Sequence, residues 1–169
     1  MARSSRALRG ALAALLLAAA APAPAPGQTA ARRAGPAVAV AIVVHPQTRV
    51  ENLTLAQLRR IFLGEQQFWP DRQRVTLLMR APVAAEREMV LRQIYRMTEA
   101  QFRQYWIAKI FRAEATSGPQ IVYSNDMARE LVTSVPGAIT FVPAAAVRPG
   151  MRMVRIDGRL PGEAGYPLQ

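Results

Sequence analysis

An α/β domain with a mixed central sheet flanked by helices is what this sequence predicts, on three observations. Short β-branched runs alternate along the chain with helical patterns, the signature of strands covered by helices. The first run, residues 37–44, reads Ala-Val-Ala-Val-Ala-Ile-Val-Val and is apolar throughout, as in a strand buried on both faces. Two of the helical patterns open on a capping box, and each carries its apolar residues on one stripe. At 169 residues and 51% hydrophobic composition, the chain has material for one domain with a proper core.

His45-Pro46 ends the first strand. A helix then opens at Thr54, whose hydroxyl and the Gln57 amide form a capping box, with Leu53 and Leu58 at the staple positions. Leu55, Leu58, Ile61 and Phe62 make its apolar stripe, Arg59 and Arg60 fall toward water, and Gly64 supplies a left-handed stop. Trp69-Pro70-Asp71-Arg72 reads as a turn with proline at its second position, and residues 75–79 as a second strand. After Arg80 a second helix is expected, with Pro82 in its first turn and Val90, Leu91, Ile94 and Tyr95 on its buried side.

Thr98 and Gln101 repeat the capping box, with Met97 and Phe102 as the staple, so a third helix should bury Phe102, Tyr105, Trp106 and Ile110. Residues 113–119 read as a loop and 121–123 as a short strand. A fourth helix starts at Ser124-Asn125-Asp126, turns Met127, Leu131 and Val132 inward, and stops at Pro136-Gly137. Residues 138–142 and 153–156 are the last two strands, and the arginines at 148, 152, 155 and 159 read as solubility and edge-strand protection.

Residues 1–30 are expected to be a secretory signal peptide. Arg3, Arg6 and Arg9 precede an apolar run at 11–21 too short to span a bilayer, and cleavage is expected between Gly27 and Ala31. An uncleaved N-terminal anchor is the competing reading. Residues 31–36 then form a linker and 37–169 the single α/β domain. With no cysteine in the chain, stability must come from packing, and thiolate metal sites are ruled out. The net charge of +11 falls to +8 once three arginines and no acid leave with the leader. On an exported protein that charge suits anionic lipid, cell-wall polymer, an acidic partner or a small anion better than nucleic acid, and a biased, Arg- and Ala-rich composition is the plain alternative.

Three segments, in order, carry a family resemblance. The leucine-rich helix ending Ile61-Phe62-Leu63-Gly64, with Trp69-Pro70-Asp71 after it, resembles the phosphate-binding (PstS-like) substrate-binding proteins of bacterial ABC transporters. Pro136-Gly137-Ala138-Ile139-Thr140-Phe141-Val142 is similar to that family's turn and strand, and Ile156-Asp157-Gly158, Pro161 and Tyr166-Pro167-Leu168 to its closing segment. The resemblance implies one lobe of the type 2 periplasmic-binding fold, a periplasmic location, a phosphate-like ligand and a membrane transporter partner. Full receptors of that kind have two lobes, so closure around a ligand is not expected within one copy.

In open α/β sheets ligands sit beyond the carboxyl ends of strands, where helix N-termini present free amides. Three places qualify: around His45 after the first strand, Arg80 and Ala81 after the second, and Ser124 and Asn125 after the third. At the second place the family carries a loop rich in Gly, Ser and Thr, whereas this chain reads Met-Arg-Ala-Pro-Val-Ala-Ala-Glu over residues 79–86. Every hydroxyl is gone, Pro82 offers no amide, and Glu86 puts a negative charge in the first helical turn. Arg80 is left as the anion contact, able to present a bidentate fork, although a lone arginine at a strand end is ordinarily a surface ion-pair partner. Ser124 and Asn125 are ordinary caps by their chemistry. His45, the only histidine, is expected in a solvent-exposed loop and makes a poor metal site alone.

No nucleophile motif, metal motif or carboxylate pair proposes catalysis, and no metal or cofactor is expected. The sequence therefore supports an exported substrate-binding-like protein for a small oxyanion. Its alternative is an interaction module of the envelope, without ligand, that engages a partner protein or an anionic polymer.

Overall fold

The computed structural model describes residues 39–169; the signal-peptide and linker readings fall on residues 1–36, outside the described residues. Strand β1 (Val40–Val44) is buried at every position. It is followed by the two-residue strand β2 (Asn52–Leu53) and by helix α1 (Leu55–Phe62), whose Thr54–Gln57 capping box is present in both directions. Gly64 follows at φ +65, and the staple residues Leu53 and Leu58 are both buried. The Arg72 amide donates to the Trp69 carbonyl at 2.9 Å, closing the turn with Pro70 at its second position.

Strand β3 (Thr76–Arg80) leads to α2 (Ala85–Val90), which continues as a π-helical turn, Leu91–Tyr95, ended by Arg96 in the left-handed region. Pro82 does not sit in the helix. The Ala84 amide bonds to the Ala81 carbonyl at 3.0 Å, so Pro82 takes the second position of a turn and the helix begins later. Helix α3 (Glu99–Phe111) has the second complete capping box, Thr98 with Gln101. Strand β4 (Gln120–Val122), helix α4 (Asn125–Ser134) and strand β5 (Ala138–Pro143) follow.

The strand expected over 153–156 is two pieces, β6 (Arg152–Met153) and β7 (Arg155–Ile156). β6 pairs with β1, and β7 pairs in parallel with β2 in a separate small ladder. Between them Val154 is fully buried and donates its amide to the Ile42 carbonyl at 3.0 Å. The segment thus serves two partners, β1 through residues 152–154 and β2 through residues 155–156.

The main sheet has the order β4-β3-β5-β1-β6. β3 runs parallel to β4 and β5, while β1 is antiparallel to both β5 and β6. Period two then divides the core. On one face Val40, Ile42 and Val44 of β1 pack with α1, α2 and α3, around Phe62, Tyr95, Phe102 and Phe141. On the other, Ala41 and Val43 pack with Ala128 and Val132 of α4. The tail closes the first face, with Leu168 fully buried and the Tyr166 hydroxyl donating to the Val40 carbonyl at 2.7 Å.

Helix α3 departs from its expected stripe at its C-terminal end. Ile110 is exposed, with Ile107 and Phe111, and the side chain turned inward is Lys109. The Lys109 ammonium donates to the Gly64 carbonyl at 3.3 Å and lies 5.6 Å from the Tyr105 ring. The orphan carbonyls at the end of α1 need donors, and a lysine stem can lie along apolar surface to reach one.

Candidate functional site

Parallel pairing brings the carboxyl ends of β3 and β4 side by side, with Arg80 opposite Val122. Arg80 and Ala81 therefore share one end of the sheet with Ser124 and Asn125. His45 does not join them. β1 runs the other way, and the His45 amide bonds to the carbonyl of Ala138, the first residue of β5, so the imidazole stands at the opposite end of the sheet. Nor is it a solvent-exposed loop residue: His45 is buried, and its Nδ1 accepts the Gln47 amide at 3.2 Å within the turn that ends β1.

Arg80 is 6% exposed. Its Nε donates to Glu86 Oε1 at 2.7 Å, so the carboxylate expected to face the helix dipole instead neutralises the arginine. Arg80 is an ion-pair partner, but a buried one, because the turn around Pro82 folds the start of α2 back over the end of β3. Its Nη1 is buried without a hydrogen-bond partner. The Ala81 amide is committed to the Val122 carbonyl at 2.9 Å. Ser124 is the cap of α4, its hydroxyl accepting the Met127 amide at 3.0 Å, and Asn125 is exposed in the first turn. Asp126 beside it is exposed and lies 3.7 Å from Arg129.

Behind Arg80 stands a second buried arginine that sequence reading passed over. Arg87, 3% exposed, donates from Nη1 to the Arg80 carbonyl and forks onto Glu99 through Nε and Nη2, each at 2.9 Å. Its guanidinium also lies over the Phe102 ring at 4.9 Å. Arg80, Glu86, Arg87 and Glu99 thus form a charge-balanced chain joining β3, α2 and the start of α3. The carboxylate partner of Arg87 is twelve residues on in sequence, a separation that carries no periodic signal; the local hint was that Arg87 stands three residues before Val90, on the spacing of the buried stripe.

The Arg87 hydrogen bond holds the Glu99 carboxyl below the usual carboxylate range, against partial desolvation that pushes it up. A carboxyl lowered in the folded state stabilises it fully above the unfolded value of about 4.3. That contribution is lost as pH falls through the folded value. Unfolding by urea at a series of pH values should therefore show an acid decline that Glu99→Gln makes shallower. Parallel profiles for the two proteins between neutral and acid pH would show that Glu99 does not contribute to it.

Among the described residues no group of three or more His, Asp or Glu side chains could hold a metal, and no helix is long and apolar enough to cross a membrane. What the arrangement offers chemically is one buried cation with an unused donor, beside the first turn of α4.

No protein-family model matches the chain. Solved structures do share its fold. It is similar to an ABC-type phosphate transport receptor from Vibrio cholerae, at 20% identity and a TM-score of 0.58, over 73% of this chain and 48% of that one. PstS from Borrelia burgdorferi aligns at 18% identity and a TM-score of 0.61, over 77% of this chain and 53% of that one. A putative phosphate ABC transporter substrate-binding protein with bound phosphate, from Clostridium perfringens, aligns at 20% identity and a TM-score of 0.57, over 71% and 45%. The chain thus spans about half the length of the receptors it matches. The mixed sheet flanked by helices is the arrangement of these periplasmic-binding proteins; at such identities the likeness is one of fold.

Proposed function

We propose that this chain is an exported, non-catalytic binding protein of the phosphate-receptor type, which takes a small oxyanion at the carboxyl ends of β3 and β4 and serves an ABC transporter or a sensing partner in the periplasm. The observation that carries this reading is Arg80. A guanidinium at a strand end, buried and with Nη1 unpartnered, is a donor that an oxyanion can satisfy with a charge-assisted hydrogen bond. The first amides of α4 stand at the same end of the sheet, where a helix N-terminus favours negative charge. The same fold is found in phosphate receptors, one of them with phosphate bound.

The test is the melting temperature of the mature protein at low salt against phosphate, sulfate and neutral solutes. A saturable rise with one oxyanion is expected, worth about 2.7 kcal/mol at a hundredfold excess over Kd. It should vanish in the double variant Arg80→Met, Glu86→Leu, which removes the donor without leaving a buried charge alone. If all anions act alike or none acts, the receptor reading fails.

A second reading is favoured by the pairing of Arg80 with Glu86 and by the commitment of the Ala81 amide to Val122. In it the lobe has lost its ligand and engages a partner protein or an anionic envelope polymer. Five of the arginines precede residue 39 and no acid does, so the described residues keep a net charge of +6 for such contacts. Absence of any anion-specific shift, together with salt-sensitive binding to an anionic polymer, is the outcome this reading requires.

A further inference from the structure

A cavity of about 350 Å³ opens at the other end of the sheet, where β3 and β4 begin, walled by the end of α1, by α3 and by the loop 115–119. It is remote in the topology from Arg80 and Ser124, which lie at the carboxyl ends of the same strands. Its volume is at the lower end of the range for small-molecule pockets.

Its lining is of two kinds. Ile61, Leu77 and the Trp106 ring supply an apolar wall, while Thr116, Ser117 and Arg74 supply donors. The Trp106 indole N–H is buried without a hydrogen-bond partner.

Arg74 is the one charged side chain in the lining, and it enters no ion pair among the described residues. Its single protein contact there is a long one, Nη2 to the Thr116 hydroxyl at 3.4 Å. Glu114, the carboxylate that precedes the 115–119 loop, is already held by Arg112 at 2.5 Å and Lys109 at 4.0 Å.

We propose that this cavity is a second binding site, for a small organic monocarboxylate, with Arg74 as counter-ion, the Thr116 and Ser117 hydroxyls orienting the carboxylate, and the Ile61, Leu77 and Trp106 wall taking its apolar body. One guanidinium balances one negative charge. A divalent inorganic oxyanion would bring two, and would leave the apolar wall without a partner. An uncharged apolar ligand would leave the charge of Arg74, an exposed side chain, unused.

The experiment uses the full mature chain, with benzoate as probe and benzamide as its uncharged match, read by calorimetry, by melting temperature and by tryptophan emission. Benzoate should bind saturably and change the emission, because Trp106 lines the site. Benzamide should bind at least tenfold more weakly. Arg74→Ala should lose about tenfold in benzoate affinity, the scale of one hydrogen bond to a charged group. Arg148→Ala, an equal change of net charge on an exposed loop, should lose none. Equal affinities for benzoate and benzamide, equal losses in the two arginine variants, or no saturable change with benzoate would each overturn the proposal.

Discussion

Glu86→Gln is expected to cost about 3–5 kcal/mol of folding stability, while Arg80→Met with Glu86→Leu costs little or nothing. Removing one partner of a buried ion pair leaves the other as an uncompensated charge, whereas a well-packed apolar pair of similar volume replaces both without that penalty. Both side chains are 7% exposed, so water cannot screen the remaining charge. Glutamine keeps an acceptor for Arg80 Nε but not the charge, and the buried chain would then carry two arginines against Glu99 alone. Urea unfolding should show the loss as a lower midpoint at unchanged slope. The same variant separates stability from function. With Glu86 neutral, phosphate should raise the melting temperature of Glu86→Gln more than that of the native protein. A single variant as stable as the native protein would show that Glu86 does not neutralise Arg80.

Gly137→Ala is expected to be at least as damaging, beyond about 4 kcal/mol, the range in which a single substitution points to a specific steric or electrostatic defect. Gly137 has φ +75, and a Cβ there would stand 2.1 Å from the Arg74 carbonyl oxygen and 3.1 Å from the Gln73 side chain. The first of these is backbone and cannot rotate away. Relief would require moving Gly137, whose own carbonyl accepts the Trp69 indole N–H at 2.9 Å and the Thr76 amide at 3.1 Å. Those two bonds seat the Trp69 turn and start the β3–β5 ladder, so the displacement propagates into the sheet. Gly158→Ala is the control. It has φ +77 but nothing within 4 Å of the new Cβ, so it should cost only the left-handed backbone penalty, about 1–2 kcal/mol. Similar midpoints for the two variants would mean that the carbonyl contact is not what constrains Gly137.

Both effects arise where a local sequence signal meets a long-range partner, and that division runs through the whole molecule. Elements that a few neighbouring residues specify were legible. Thr54 with Gln57 and Thr98 with Gln101 satisfy orphan amides within their own first turn, and both boxes form as read. Pro70 presets its turn, Gly64 adopts a left-handed stop, and the β-branched run of β1 is buried on both faces. The mixed sheet flanked by helices followed from the alternation of such elements, and the receptor fold from three short segments in order.

Side-chain identity and period gave no direction to a strand. Period two says which residues share a face and is silent on whether β1 runs with or against β5; that choice sends His45 to the end of the sheet away from Arg80. The same silence hid the break at Val154, where the segment passes from pairing with β1 to pairing with β2. On α3 the apolar periodicity predicted Ile110 inside, but the place is taken by Lys109, which reaches the carbonyl end of α1. A sequence cannot reveal that another helix ends beside this one.

The candidate site shows the division most sharply. Its residue types were readable: one arginine at a strand end, no hydroxyl loop, a capped helix at Ser124. Whether Arg80 faces water or Glu86 depended on how the turn at Pro82 folds α2 back onto β3, and the Arg74 cavity depended on three elements distant in sequence. Local hydrogen bonding and burial periodicity act over a few residues, so the sequence by itself determined the elements, their caps and their covered faces. Strand direction, ion-pair choice and cavities are set by which distant surfaces meet, and only the tertiary structure decided them.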